Sequence, residues 1–451
     1  MMMKTSTKED RENASSGASS RRSPSGRLGV LIPGMGAVAS TFIAGVEAIR
    51  QGWGLPAGSL TQLGKVEGKG NGDSWRVSKS LPLTGLEDLV FGGWDIFDES
   101  MLETARRSRV LDPYEIDRLA PFLDQIRPMA GAFDRNFVKN LAGKHIIESS
   151  SLSDRVEQLR SDIRRFAEQN QCDRLVMVWC GSTEVHTPES AIHQSIETFE
   201  QAIAANDPAI APSQLYLYAS ILERVPYVNG APNPGVEFPC FQQLALRMQV
   251  PVAGSDFKTG QTFLKTVLAP AFKTRQLGVR GWYSTNILGN RDGEVLDDPG
   301  SFRSKEVSKA GVLNGILSAT EYPELYADLS HVVRINYYPP RGDNKEGWDN
   351  IDLFGWLNYP MQLKVNFLCR DSILAAPLVL DLVLLMDLAA RNRRAGLQSW
   401  LSYFFKSPAV PSVETVEHDL GIQWRSLAEE LEGFRALSHG VSLSAEVALD
   451  A

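Results

Sequence analysis

The segment Leu28–Gly52 constrains the fold of this chain more than any other. It reads LGVLIPGMGAVASTFIAGVEAIRQG: a short apolar run, a glycine turn, and a stretch with helical periodicity. A buried strand that leads through a glycine turn into a helix is typical of the first unit of a dinucleotide-binding α/β fold. We therefore expect a Rossmann-like, doubly wound parallel sheet that starts near residue 28.

The glycine turn has the spacing G-x-G-x-x-A, formed by Gly34, Gly36 and Ala39. Gly34 would permit the tight turn, Gly36 the close approach of the backbone to a pyrophosphate, and Ala39 the close packing of the helix on the strand. Turns of this kind also occur without a ligand. The spacing alone therefore leaves both a nucleotide site and an ordinary turn open.

An acidic residue that could hold a ribose is expected about 20 positions after such a turn. At that distance the chain instead has a polar insertion, LPAGSLTQLGKVEGKGNGDSW. A later apolar stretch, LVFGGWD, ends in acid at Asp95. We expect the second strand of the sheet to arrive late and to end at Asp95, the alternative being that Asp95 is a helix N-cap or loop residue.

The remaining chain predicts a second domain. Strands alternate with helices over 28–252, and the buried strand RLVMVWCGSTE ends in small polar residues. Beyond residue 252, GVRGWYSTNIL, HVVRINYYP and MQLKVNFLC predict a sheet with antiparallel pairing, inserted as an α+β domain. The predicted boundaries are a disordered tail at 1–26, the Rossmann-like domain at 27–252, the inserted domain at 253–366, a helical return to the first domain at 367–440, and a flexible tail at 441–451.

Composition excludes several classes of function. The chain has 46 Lys plus Arg and 54 Asp plus Glu, a net charge of −8, which argues against a general binder of nucleic acid or of anionic membranes. Its 4 cysteines and 6 histidines are scattered, so we expect neither a disulfide framework nor a metal site. The apolar stretch 373–390 contains Pro377, Asp381 and Asp387 and predicts a buried helix rather than a membrane span.

Polar residues cluster in segments that we place in loops around the second sheet: GSDFKTGQT, NILGNRDGE, FRSKEVSK, RGDNKEGWD, CRDSILAAP and YFFKSP. Taken singly, each has an ordinary interpretation as a turn, a helix cap or a solvated lysine. Lys406 differs, because Phe404 and Phe405 precede it and would desolvate its amine. Desolvation favours the neutral amine and would make a proton donor or acceptor available near neutrality.

Taken together, these segments resemble a known family. SDFKTGQTFLKTVLAP, STNILGNRDGEVL, FRSKEVSK, GDNK, RDSILAAPLVLDL and FFKSP are similar, in the same order and over most of 28–408, to the myo-inositol-1-phosphate synthases, also called inositol-3-phosphate synthases. GMGAVAST, VWCGSTE and NGAPNP also resemble the nucleotide-binding segments of that family. The resemblance implies a cytoplasmic, homotetrameric, NAD-dependent isomerase that converts D-glucose 6-phosphate to 1D-myo-inositol 3-phosphate, the first step of inositol and inositol-phospholipid synthesis.

The implied reaction oxidises C5 with NAD, closes the ring by attack of a C6 enolate on the C1 aldehyde, and reduces the cyclic ketone with the same cofactor. The family's catalytic residues fall on Lys305, Lys309, Lys345, Asp371 and Lys406. We expect Lys305 near the nicotinamide, Lys309 and Lys345 on the phosphate and the developing oxyanions, Lys406 on the C1 aldehyde oxygen, and Asp371 as a residue that orients lysines. Positions 305 and 309 would share one face of a helical turn.

The resemblance also implies a set of NAD-binding positions. They are Gly34, Gly36, Ala37, Val38, Asp95, Cys180, Gly181, Ser182, Thr183, Gly230, Ala231, Asp256, Thr259, Asn290, Arg291, Asp292, Lys305, Gly342 and Asp343. The chain departs from the family in its shorter phosphate turn, in Arg291 where Asn is usual, and in Arg370 where an acid is common. Two other hypotheses stay open: an NAD-dependent sugar-phosphate dehydrogenase without cyclisation, and a catalytically silent NAD-binding scaffold.

Overall fold

The computed structural model describes residues 24–68, 73–298, 300, 311–411 and 416–439. Its strands, in chain order, are β1 (Arg27–Pro33), β2 (Lys65–Glu67), β3 (Ser74–Arg76), β4 (Leu89–Asp95), β5 (Met129–Ala130), β6 (Cys172–Trp179), β7 (Tyr227–Asn229), β8 (Pro251–Gly254), β9 (Gly278–Leu288), β10 (Ser330–Tyr337), β11 (Asn344–Phe354), β12 (Pro360–Arg370) and β13 (Gly396–Leu397).

The α-helices are α1 (Ala37–Arg50), α2 (Leu60–Leu63), α3 (Val77–Ser80), α4 (Met101–Ser108), α5 (Pro113–Leu123), α6 (Leu152–Gln169), α7 (Ile196–Ala204), α8 (Pro212–Leu222), α9 (Pro239–Met248), α10 (Gly260–Thr274), α11 (Arg291–Leu296), α12 (Pro323–Tyr326), α13 (Asp371–Arg391) and α14 (Leu420–Ser438). Residues 311–316 are also helical. Short 3₁₀ helices lie at Leu86–Asp88, Ala191–His193, Pro339–Arg341, Trp356–Asn358 and Ser399–Phe404.

The larger sheet has 7 strands in the order β13-β8-β7-β6-β1-β4-β5. All of its recorded pairings are parallel. Val30 of β1 and Val176 of β6 belong to a core with α1 and α13, whereas Leu31 and Met177 belong to a core with α6, α8 and α9. The central strands are apolar on both faces because helices cover both faces, as the prediction of a doubly wound sheet requires.

The strand order places a ligand crevice at β1. From β1 the chain returns to one side as β4 and later to the other side as β6. Where the winding direction reverses, the loops at the carboxyl ends of the strands diverge and leave an opening. The second strand does arrive late, as expected, since the α2–α3 region and the β2–β3 hairpin separate α1 from β4.

The smaller sheet has 4 strands in the order β10-β9-β11-β12. β11 is antiparallel to both β9 and β12, whereas β10 pairs with β9 in parallel, so the expectation of antiparallel pairing was wrong for this pair. One face packs on α10 and on residues 311–316 through Trp282, Val312 and Ile351. This arrangement holds the sheet beside the carboxyl ends of the larger one.

The segment RGDNKEGWD was predicted as a loop, but Asn344–Asp349 lie in β11. Polar side chains on both faces hide this strand from a hydrophobicity pattern. Tyr227–Asn229 form β7, the strand that leads directly to Gly230 and Ala231. The predicted boundaries at 252 and 366 fall inside β8 and β12, and the returning helix begins at Asp371.

In the described part of the chain, α13 is the helix with the length and hydropathy of a membrane span. Its apolar window is 67% buried inside the protein, in agreement with the prediction of a buried helix. Its acidic residues have specific partners. Asp381 accepts hydrogen bonds from Ser59 and from the backbone of Leu60 and Thr61, and Asp387 pairs with Arg174 and Arg391.

Candidate active site

A cavity of about 650 Å³ opens at the carboxyl ends of β1, β4 and β6 and is closed by loops of the smaller sheet. Most of the predicted site residues line it. Those that do are Gly34, Gly36, Ala37, Val38, Asp95, Cys180, Gly181, Ser182, Thr183, Gly230, Ala231, Asp256, Thr259, Asn290, Arg291, Gly342, Asp343, Asp371 and Lys406. The fold therefore brings together residues that are far apart in sequence.

The glycine turn forms a cradle at the amino end of α1. Gly34 has φ +86°, and a Cβ on it would lie 2.3 Å from the backbone of Gly181. Within the described residues, a Cβ on Gly36 would meet no atom closer than 4 Å. Gly36 is also the N-cap of α1 and provides no side-chain cap for the first N–H groups of the helix. Open space in front of uncapped N–H groups fits the pyrophosphate of a dinucleotide.

Asp95 is the last residue of β4, and its Oδ1 accepts a hydrogen bond from the backbone N–H of Phe97 at 3.1 Å. It is thus the acid that ends the late strand, as expected, and it also caps the turn that follows; the N-cap of α4 is Ser100 instead. Burial raises the pKa of its carboxyl, while Arg291 and Arg107 act in the opposite direction. A carboxylate at this strand end is suited to accept hydrogen bonds from ribose hydroxyls.

The end of β6 packs directly against the glycine turn. The N–H of Cys180 donates to the carbonyl of Pro33 at 2.9 Å. The next loop is fixed by Asn233, whose amide accepts from the N–H of Glu184 and donates to the carbonyl of Ser182. Burial raises the pKa of the Cys180 thiol, so Cys180 serves this wall as a small apolar side chain.

The turn 254–259 forms the opposite wall and pairs with the segment that carries Lys406. Phe257 and Phe405 form an isolated antiparallel bridge, and the N–H of Lys406 donates to the carbonyl of Asp256 at 2.7 Å. The Nζ of Lys406 lies 3.1 Å from the Oδ1 of Asp256. Phe404 and Phe405 are buried as expected, and the ammonium emerges beside a carboxylate that the sequence did not reveal as its partner.

A second lysine–aspartate pair lies where β11 and α13 begin. Lys345 Nζ is 2.6 Å from Asp371 Oδ2. Asp371 lines the cavity. Lys345 lies behind it and is connected to the cavity wall by its ion pair with Asp371. A Cβ on Gly260, which has φ +57°, would lie 3.4 Å from Asp371 and 3.8 Å from Lys345. The turn before α10 therefore passes close to this pair because glycine occupies that position.

Asp343 lies next to this pair and is almost fully buried. Its Oδ1 accepts a hydrogen bond from the side-chain amide of Asn290 at 2.7 Å. Burial raises the pKa of Asp343 to about 6, and the neighbouring Asp371 acts in the same direction. A carboxyl of this kind can take up or release a proton near neutrality.

Three predicted residues cannot be placed in the same way. Lys305 and Lys309 lie outside the described residues. Asp292 falls in α11, but its side chain is outside the described set. Their predicted roles stay predictions.

Several cavity residues were not singled out from the sequence. Trp179 and Tyr216 pack edge to face on the wall with their ring centroids 5.4 Å apart. Glu184 accepts hydrogen bonds from the backbone and hydroxyl of Ser213, and burial raises its pKa to about 7. Glu184 directly follows the polar end of β6, and that position was the signal that could have identified it.

The fold and the cavity define a class: a dinucleotide-dependent enzyme in which a Rossmann-like sheet and a second sheet share one site. A family model described as myo-inositol-1-phosphate synthase matches residues 28–431. The chain belongs to this family, whose members are NAD-dependent isomerases, and the glycine cradle, Asp95 and the end of β6 provide positions that fit NAD.

Individual relatives agree with that assignment. An inositol-3-phosphate synthase 1 of Bacteroides thetaiotaomicron is 52% identical over 408 residues, which cover 90% of this chain and 95% of the relative. An inositol-3-phosphate synthase isozyme 1 of Arabidopsis thaliana is 33% identical, with 90% and 84% covered. The crystal structure of inositol-3-phosphate synthase from Caenorhabditis elegans superposes with a TM-score of 0.86 at 26% identity, covering 95% of this chain and 90% of that one.

Proposed function

We propose that this protein converts D-glucose 6-phosphate to 1D-myo-inositol 3-phosphate with tightly held NAD and so begins inositol synthesis. The observation that carries the proposal is that two lysine–aspartate pairs, Lys406–Asp256 and Lys345–Asp371, adjoin the cavity that contains the dinucleotide cradle. An oxidation alone needs a dinucleotide and one acid–base group. Ring closure needs further groups that stabilise charge on a second carbonyl oxygen and on an enolate.

NAD, when bound, supplies the reversible oxidation at C5. The first N–H groups of α1 and the open space at Gly36 would hold its pyrophosphate, and Asp95 would accept hydrogen bonds from a ribose. Cys180–Thr183 and Gly230–Ala231 would complete the wall along the cofactor. These residues bind and orient the cofactor and leave the second sheet to act on the sugar phosphate.

Lys406 would donate a hydrogen bond to the C1 aldehyde oxygen during ring closure. Its backbone is fixed by pairing with Asp256, and its side chain is 8% exposed, so little motion or water competes for the ammonium. A preorganised cation in a site of low polarity stabilises a developing alkoxide more than water does. Asp256 would hold the ammonium in place until the substrate oxygen arrives.

Lys345 would act on the phosphate and on the developing oxyanions, and Asp371 would orient it. Asp371 lies in the first turn of α13, where the helix dipole favours a negative charge. Asp343, with a pKa of about 6, adds a group that can accept a proton beside this pair. We keep Lys305 at the redox end of the substrate and Lys309 at its charged end as predictions.

We also propose that the protein is a cytoplasmic homotetramer that associates through the smaller sheet. Tyr283, Trp348 and Leu368 share the outer face of that sheet, and each is more than one-third exposed. The hairpin between β11 and β12 presents Trp356, which is 87% exposed. A cluster of large exposed apolar side chains on one sheet face supports an interface with further copies of the chain.

One experiment separates the proposal from its alternatives. Purified protein is incubated with glucose 6-phosphate while NADH absorbance and the ¹³C NMR spectrum of the product are followed together. An inositol phosphate without net NADH supports the synthase. Accumulation of NADH together with an open-chain or lactone product would indicate a dehydrogenase, and absence of turnover with intact NAD binding would indicate a scaffold.

A further inference from the structure

Arg291, at the end of a strand of the smaller sheet, contacts the Rossmann-like domain at the wall of the cavity. Its Cζ lies 3.9 Å from the centroid of the Phe97 ring. Arg291 begins α11 directly after β9, and Phe97 follows β4. Both residues line the cavity at the end where Asp95 lies. The contact therefore joins the two domains at the wall of the cavity, on the side of the predicted ribose acceptor.

Both ends of this contact are fixed. The N–H of Phe97 donates to Asp95, which fixes the backbone of Phe97 at the end of β4. On the other side, Asn290 caps α11 by accepting a hydrogen bond from the N–H of Gly293 at 3.1 Å. An arginine held at both its backbone and its guanidinium loses little further freedom when a ligand binds.

The helix that carries Arg291 is also docked on the Rossmann-like domain. Val295 packs with Phe137, Val138 and Leu141. The carbonyl of Glu294 accepts a hydrogen bond from the side chain of Asn140 at 2.8 Å. The two domains are therefore joined here by packed side chains of α11 as well as by the contact between Arg291 and Phe97.

The chemistry of the guanidinium suits an anionic ligand. Its Cζ lies over the ring of Phe97, and an arginine placed over an aromatic ring can still donate the N–H groups that lie in the plane of its guanidinium. Arg107, the neighbouring cation, is already paired with Glu99 at 2.6 Å. Burial lowers the pKa of Arg291, because its cation is partly removed from water. A hydrogen bond from such a cation to a phosphate or another anionic oxygen is among the stronger ones in proteins.

We propose that Arg291, stacked on Phe97, closes the cavity over the ADP half of the bound dinucleotide and thereby sets how slowly the cofactor leaves. This inference rests on the proposed function, since a cofactor that is reduced and reoxidised in one turnover must stay bound between the two steps. Arg291 is a binding residue in this account, and its effect falls on the rate of dissociation.

The test is a stopped-flow measurement of NADH release from the full-length chain. The protein is loaded with NADH and mixed with excess NAD⁺, and the loss of bound NADH fluorescence gives the dissociation rate. Arg291→Gln is expected to raise that rate roughly tenfold to a hundredfold, since it removes a charge-assisted contact while an amide donor remains. Arg291→Lys keeps the charge without the planar stack, so its rate should be intermediate.

Two further variants make the test specific. Phe97→Leu should raise the release rate in the presence of Arg291 and change it by less than about twofold in the Arg291→Gln background, because the two residues act as one unit. Arg280→Gln is the matched control: Arg280 stacks on Phe354 at 4.7 Å outside the cavity lining, and its loss should leave release unchanged. Melting temperatures of the cofactor-free variants show whether each one folds.

An unchanged release rate in a folded Arg291→Gln protein would overturn the proposal. So would additive effects of the Phe97 and Arg291 variants, or an equal effect of Arg280→Gln. The measurement uses no sugar phosphate, so its result is separate from that of the proposed function. A protein that releases NADH as expected but forms no inositol phosphate would refute the proposed synthase activity. The proposal that Arg291 and Phe97 slow the release of the cofactor would still stand.

Discussion

The Nζ of Lys406 lies 3.1 Å from the carboxylate of Asp256, and the two side chains are 8% and 3% exposed. The residues are 150 positions apart in the chain, and backbone pairing between their segments sets the distance. This relationship puts a fixed cation on the cavity wall, and the proposed ring closure requires such a cation.

Replacement of Lys406 should abolish cyclisation and leave cofactor binding nearly normal. In Lys406→Ala we expect inositol phosphate formation to fall at least about a hundredfold, because a preorganised donor to the developing alkoxide is lost. NADH affinity should stay within about threefold, since the cradle lies on the other wall of the cavity. Product NMR and fluorescence titration measure the two quantities, and normal turnover in the variant would refute the role given to Lys406.

The two glycines of the phosphate turn should respond differently to alanine. Gly34→Ala places a Cβ 2.3 Å from Gly181 at φ +86°, so we expect a loss of both stability and NAD binding. In Gly36→Ala the new Cβ contacts no atom in the described part of the chain, so the cofactor-free protein should melt normally, but the methyl group would occupy the cradle and weaken NAD binding at least about tenfold. Calorimetry of the cofactor-free proteins and NADH titration check the pair. Equal NAD affinity in Gly36→Ala and the unmodified protein would place the pyrophosphate elsewhere.

Stability should depend on pH through Asp343. Its pKa is raised from an ordinary value of 3.8 to about 6, mainly by burial, so the folded state holds this proton more tightly than the unfolded state. The free energy of unfolding therefore falls as pH rises through this interval. In Asp343→Asn that dependence is lost, and the variant should become more stable than the unmodified protein by on the order of 2 kcal/mol above the interval. Urea unfolding of both proteins from pH 4 to pH 8 isolates the effect, and parallel stability curves would contradict it.

Association should depend on the outer face of the smaller sheet. Leu368→Asp adds a charge to that face, next to Trp348, and should convert the proposed tetramer to smaller species. Leu55→Asp is the control, since Leu55 is 76% exposed on the Rossmann-like domain. Light scattering after gel filtration gives the masses. A monomeric unmodified protein, or an unchanged tetramer in Leu368→Asp, would argue against this interface.

Local patterns were enough to predict the frame of the structure. β1, its glycine turn and α1 were predicted from one short segment, and the bounds predicted for β9 match those observed. The strand that ends at Asp95 was also expected to arrive late. These features depend on hydrophobic periodicity and on glycine geometry, and both are properties of neighbouring residues.

The contacts that make the site specific depend on pairs that are distant in sequence. The Lys406–Asp256 pair and the Arg291–Phe97 stack form because β-strand ends and loops from two domains meet at one cavity. Lys345 was placed in a loop, because its strand carries charged residues on both faces. No periodicity encodes such contacts, so the residue types were predicted while their partners were not.

The most direct test of the central claim follows one atom through the reaction. Glucose 6-phosphate carrying deuterium at C5 is incubated with the protein and unlabelled NAD, and the product is analysed by NMR and mass spectrometry. If bound NAD takes the atom from C5 and returns it after ring closure, the inositol phosphate keeps the deuterium at the corresponding carbon. A product that has exchanged its deuterium for hydrogen, or deuterium that accumulates in free NADH, would contradict the account.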